Sequence, residues 1–203
     1  AIKGIANGKT EISSEQFKIF KSNKSGEKDS IQIIGTIGAD ILENRKTLIN
    51  FKSNQVVFNL NQIPKESKNQ LFDFKFRKRK IIIPGILKGE ERKFLYDSGT
   101  SAYELLTYKE EWQSLKSQNS KINIEKSQSW NNVLTTYTTD CNENIQFKNQ
   151  QISIKKVTYV EGFSNLQFSM MKYSGMTGML GNKIFLNSNI FIDCVDKKIA
   201  ITD

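Results

Sequence analysis

Along the chain, short runs of β-branched and aromatic residues alternate with polar stretches, and very little carries a helical period. Residues 80–87, 92–96, 133–139, 144–147 and 151–160 each read as a strand bounded by turn residues. Residues 2–12 and 17–20 read as further strands near the start. The one helical pattern covers residues 108–117, where Trp112 and Leu115 stand three apart on one face. This patterning predicts an all-β protein with few short helices.

One stretch of the pattern occurs twice. Residues 35–58 align without a gap on residues 178–201, an offset of 143, with Gly35/Gly178, Gly38/Gly181, Ile41/Ile184, Asn44/Asn187 and Ile49/Ile192 identical. Each copy reads as an apolar pair ending in glycine, a short helical turn, an apolar strand, a polar turn and a closing strand. The polar turns are Lys52-Ser53-Asn54 and Val195-Asp196-Lys197. A duplicated hairpin of this kind implies two similar β lobes.

Composition narrows the chemistry. The sequence has 203 residues, 30 Lys+Arg against 21 Asp+Glu for a net charge of +9, and no histidine. Without histidine, Ser-His-Asp and Cys-His catalysis and most zinc sites are excluded, which leaves carboxylates, hydroxyls, lysines and two thiols. The lysines are scattered through Asn-, Ser- and Gln-rich stretches as on a solvated surface, so no nucleic-acid partner is expected. The one tight cluster, Arg77-Lys78-Arg79-Lys80, runs into Ile81-Ile82-Ile83 and reads as the exposed start of a strand. Cys141 and Cys194 form neither a CxxC motif nor a metal cluster, and the sequence leaves open whether they pair. No run of apolar residues is long enough for a membrane span.

One segment combines a strand end, a carboxylate and a cluster of hydroxyls: Phe94-Leu95-Tyr96-Asp97-Ser98-Gly99-Thr100-Ser101-Ala102. Taken alone, Asp-Ser-Gly is a common turn tripeptide. In context it resembles the Asp-Thr/Ser-Gly-Thr/Ser active-site loop of the pepsin-like aspartic peptidases, a bilobal family related to the retropepsins. Gly178-Met179-Leu180-Gly181 resembles the element that threads that loop in each lobe, and residues 191–201 resemble the closing hairpin.

The resemblance implies a bilobal β-barrel fold. Residues 80–203 form the second lobe, 63–79 the link between lobes, and 1–62 the last part of a first lobe. It implies an aspartic endopeptidase acting on peptide or protein substrates, with no metal and no other cofactor. Asp97 is then one of two catalytic aspartates, Ser98 braces the paired loops and Gly99 allows the turn. Thr100 would hydrogen-bond the outer carboxylate oxygen, and Met179, Leu180 and Gly181 would thread the loop. Asp40 and Asp193 also lie near these motifs, and both read as structural.

Two departures from the family pattern stand out. Tyr96 replaces the usual aliphatic residue before the aspartate, which would crowd the site, and no second Asp-Thr/Ser-Gly occurs ahead of residue 35. At the shared offset of 143 the counterpart of Asp97 falls ahead of Ala1. The expected partner is therefore a missing N-terminal segment, covalently attached or a separate chain. Competing expectations are a non-catalytic relative serving as a binding or assembly module, and a homodimer supplying Asp97 twice. The resemblance and the non-Met start point to an exported protein.

Overall fold

The computed structural model describes residues 38–129, 132–162 and 175–203. The strands expected at residues 2–12 and 17–20, and residues 35–37 of the repeat, lie outside the described residues. The protein is all-β, as the patterning predicts. In chain order the strands are β1 (Lys46–Asn50), β2 (Gln55–Val57), β3 (Phe72–Asp73), β4 (Lys75–Arg77), β5 (Lys80–Leu87), β6 (Glu90–Tyr96) and β7 (Leu105–Thr107). Helix α1 (Lys109–Leu115) follows, then β8 (Asn123–Ser129), β9 (Asn132–Phe147), β10 (Gln150–Glu161), β11 (Gly178–Leu180), β12 (Asn189–Asp193) and β13 (Lys198–Thr202).

Eight strands form one sheet in the order β4-β5-β6-β11-β7-β10-β9-β8, and a further pairing of β5 with β9 curls it back on itself. Its inner face is set by strict alternation. Ile81, Ile83, Gly85 and Leu87 of β5 point inward, where they meet Phe94, Ile145, Phe147 and Ile154 in the main core. The crossing of β5 and β9 needs Gly85. A Cβ there would lie 2.8 Å from Ile145 Cγ2 and 2.9 Å from Phe147 Cε1.

The remaining five strands form a second sheet, β2-β1-β12-β13-β3, and it is built around the repeat. The first copy folds as a 3₁₀ turn at Ala39–Leu42 followed by β1 and β2; the second folds as a 3₁₀ turn at Asn182–Phe185 followed by β12 and β13. Every one of these elements starts at the sequence offset of 143. Their backbones agree: Gly38 has φ −81°, ψ 166° and Gly181 φ −87°, ψ 175°, and the left-handed turn residues Asn54 and Lys197 have φ 54° and 55°.

β1 and β12 pair antiparallel with Lys46↔Asp193, Leu48↔Phe191 and Asn50↔Asn189. Because Leu48 and Phe191 are themselves equivalent positions, a local two-fold axis passes between them. The turns are pinned alike. Asn50 Oδ1 accepts from Ser53 N at 2.9 Å, and at the equivalent place Asp193 Oδ1 accepts from Asp196 N at 3.0 Å. Asp193 also takes Val195 N at 2.9 Å and lies 3.1 Å from Lys46 Nζ, so its buried carboxylate is fully engaged in structure.

The structure refines several expectations. Residues 133–139 and 144–147 are not two strands but one continuous β9, because Cys141 faces the core and keeps an inward residue where the sequence reads polar. β7 and β8 carry no strong sequence signal and were not expected. The basic cluster makes the hairpin turn between β4 and β5, with Lys78 and Arg79 left-handed at φ 50° and 59°. Helix α1 buries Trp112 and Leu115 as expected, with Trp112 Nε1 donating to Val157 O at 3.1 Å. Cys141 and Cys194 are buried free thiols rather than a disulfide. Burial pushes both thiol pKa values up, that of Cys194 to about 11, so both are neutral packing groups.

Candidate active-site loop

β6 runs apolar to its end and delivers Asp97 at the point where the chain leaves the sheet. Ser98–Thr100 then turn as a single 3₁₀ turn capped by Asp97, whose Oδ1 accepts from Gly99 N at 2.8 Å. Gly99 fits this role sterically, since a Cβ on it would lie 3.0 Å from that same oxygen. Asp97 is half-buried, whereas Ser98 and Gly99 are exposed.

Thr100 is bonded differently from the expectation. Its hydroxyl donates to the main-chain carbonyl of Asp97 at 2.9 Å, not to the carboxylate. The cause is local: three residues after Asp97 in a 3₁₀ turn, the Thr100 hydroxyl folds back onto the carbonyl that Thr100 N already reaches at 3.0 Å. The turn is thus doubly closed.

The expected threading element is in contact with this loop. β11 lies between β6, to which it is parallel, and β7, to which it is antiparallel, with Leu180 opposite both Tyr96 and Leu105. Asp97 N donates to Leu180 O at 3.0 Å, and Gly181 N donates to Glu104 O at 3.3 Å. Gly181 then passes through a gap that admits no side chain. A Cβ on it would stand 2.1 Å from Thr100 O and 2.4 Å from Tyr103 O. Met179 is half-buried and packs against the small cluster of Leu106, Leu134 and Val160.

Asn182 and Glu104 escaped the sequence reading, and Tyr96 has a supporting role in place of the crowding expected of it. Tyr96 does not crowd the carboxylate; its ring packs edge-on against Phe185 at 5.7 Å, and its hydroxyl donates to Asn182 Oδ1 at 2.8 Å. Asn182 Nδ2 in turn donates to Ser101 Oγ at 2.9 Å, and the Ser101 hydroxyl donates to Ser98 O. Burial, followed by the nearby Asp97 charge, raises the Tyr96 pKa, which keeps the phenol a donor. Glu104 is buried with its Oε2 accepting from Lys155 N at 2.6 Å and Lys156 N at 3.0 Å, at the bulge of β10. Its position a few residues after the motif, in a chain segment rich in apolar residues, was the only available signal.

The Tyr96–Asn182 bond is testable. Tyr96→Phe keeps the ring and strands the Asn182 carbonyl, so it should cost about 1 kcal/mol. That corresponds to a melting temperature lower by roughly 2–4 °C for a chain of this size. A melting curve unchanged by the substitution would show that the bond contributes nothing.

Among the described residues no group of three His, Cys, Asp or Glu side chains is arranged to hold a metal ion, and no helix is long and apolar enough to cross a membrane. A concavity of about 500 Å³ lies away from Asp97, walled by Glu43, Asn44, Phe76, Lys78, Arg79 and Lys197.

No family model and no curated protein matches the chain. Among solved structures, it is similar to a retropepsin-like aspartic protease from Rickettsia conorii. The TM-score is 0.40 at 15% identity, over 64% of this chain and 87% of that one. A likeness at this level bears on neither activity nor mechanism.

Proposed function

We propose that the chain carries one catalytic half of a two-lobed aspartic endopeptidase, with Asp97 as its catalytic carboxylate. The observation that carries this reading is the clamped loop. A half-exposed carboxylate at a strand end is fixed by Gly99 N, and its turn is closed by Thr100 and threaded by Leu180 and Gly181. A rigid carboxylate facing outward is what activation of a water molecule requires.

In this reading residues 80–203 are one lobe, 63–79 a link and 1–62 part of the other. The second carboxylate comes from a segment outside the described residues. The two carboxylates share one proton, since two charges so close cannot both ionise cheaply. The ionised member takes a proton from a bound water as its oxygen attacks the peptide carbonyl carbon. The protonated member donates to the carbonyl oxygen, giving a neutral tetrahedral diol. When the C–N bond breaks, a proton passes to the leaving amine and the dyad is restored. Ser98, exposed beside Asp97, is assigned to bracing the facing loop.

The test is hydrolysis of a mixed peptide substrate by the chain assembled with the lobe that supplies the second carboxylate. Cleavage should peak between about pH 3 and 7, where one proton is shared, and should fall on either side. A statin-type inhibitor, whose hydroxyl mimics the attacked carbon, should block it. An assembly that cleaves nothing across that range points instead to a non-catalytic binding module.

A further inference from the structure

A continuous run of hydrogen bonds leads from the phenol of Tyr96, through two distant side chains, to the carboxylate of its neighbour Asp97. Tyr96 Oη donates to Asn182 Oδ1 at 2.8 Å, Asn182 Nδ2 donates to Ser101 Oγ at 2.9 Å, and the Ser101 hydroxyl donates to Ser98 O. Ser98 O and Gly99 N belong to one peptide unit, and Gly99 N donates to Asp97 Oδ1 at 2.8 Å. Because a peptide unit is planar, with its C=O and N–H pointing in opposite directions, fixing the oxygen aims the N–H.

The direction of each bond follows from the one beyond it. The Ser98 carbonyl can only accept, so it takes the single Ser101 proton. The Ser101 oxygen then accepts from the Asn182 amide, which leaves the Asn182 oxygen facing the Tyr96 hydroxyl. All the donors therefore point toward Asp97. Bonds polarised in one sense strengthen one another, and the last acceptor is a carboxylate.

The repeat itself does not ask for a polar side chain at position 182. At the offset of 143 its equivalent is Ala39, which opens the same kind of 3₁₀ turn after the equivalent glycine. Ser101 is exposed, so burial does not oblige its hydroxyl to find a protein partner either. Both groups nevertheless converge on the peptide that holds Asp97.

We propose that Asn182 and Ser101 are positioning residues for Asp97, which act by locking the Ser98–Gly99 peptide and so fixing the carboxylate that takes the proton from water. Their consequence for catalysis rests on the two-lobed peptidase reading, whereas the lock itself rests on hydrogen-bond geometry. The two are tested by separate measurements.

The Gly99 amide proton reads the lock directly, by nuclear magnetic resonance on the 203-residue chain carrying isotope-labelled glycine. Ser101→Ala leaves the Ser98 carbonyl to water, and should move that resonance upfield as the bond to Asp97 loosens. Asn182→Asp keeps an acceptor for Tyr96 but draws the Ser101 proton to itself, and should move the resonance the same way. Ser101→Ala adds no charge, so agreement between the two variants separates the lock from a purely electrostatic effect. In the assembly with the second lobe, both variants should lower kcat about tenfold with KM within about twofold, because binding is kept and orientation is lost. Ser101→Thr restores the hydroxyl and should recover most of the loss in both measurements. The resonance is read without the second lobe, so it does not depend on whether the assembly cleaves peptide. A Gly99 resonance that stays in place in both variants overturns the proposal. So does a resonance that moves while kcat stays at the wild-type value, and so does a fall in kcat that Ser101→Thr fails to recover.

Discussion

Asp97→Asn should lower peptide hydrolysis by about a thousandfold or more while the fold and melting temperature stay close to wild type. Asparagine keeps the shape of the side chain and still offers an oxygen to Gly99 N, which Asp97 Oδ1 holds at 2.8 Å. It cannot ionise, however, so it can neither take the proton from water nor share one with a second carboxylate. The measurement is kcat/KM with both lobes present, beside a thermal melt of the same preparation. Full activity in the variant would remove Asp97 from the mechanism. Loss of the fold would show that the carboxylate is structural instead.

The second large effect is on stability. Gly181→Ala should destabilise the protein by about 3 kcal/mol or more, because its Cβ would lie 2.1 Å from Thr100 O and 2.4 Å from Tyr103 O, and both obstacles are backbone. The melting temperature should fall by roughly 6–12 °C. Gly38→Ala, at the equivalent position with nearly the same φ and ψ, meets only the Asp40 carboxylate at 2.5 Å, and that side chain can rotate away. In the 203-residue chain it should cost less than about 1 kcal/mol. Equal effects of the two substitutions would mean that the loop around Gly181 yields, and that it does not hold Asp97 rigidly. The comparison uses two positions of one repeat, so differences in backbone conformation cancel.

β5 and β10 were legible because their signal is local. β5 matches its expected bounds at both ends, since alternation of Ile81, Ile83 and Leu87 with exposed neighbours is written in consecutive residues. The Asp97 loop was legible for the same reason, as strand, carboxylate, glycine and hydroxyls are contiguous. β7 was not: three residues, Leu105–Thr107, become a strand only because β11 and β10 lie on either side. The Tyr96–Asn182–Ser101 network joins residues 86 and 81 apart in the sequence. No spacing rule connects them, and Tyr96 read as an intruder until the ring was seen to face Phe185.

By itself, the sequence determined that this protein is all-β, that one hairpin occurs twice at an offset of 143, and that its candidate chemistry rests on a carboxylate held in a glycine turn. Those facts follow from period, identity and residue type, which short-range sterics and solvation read directly from neighbouring residues. Tertiary packing alone set the two copies side by side about a two-fold axis, made the second copy more deeply buried than the first among the described residues, and locked Gly181 between two carbonyls. The physical reason is that burial and close backbone approach belong to pairs of segments far apart in the chain. The same Gly and the same alternation serve equally well in a deeply buried copy and in a half-buried one.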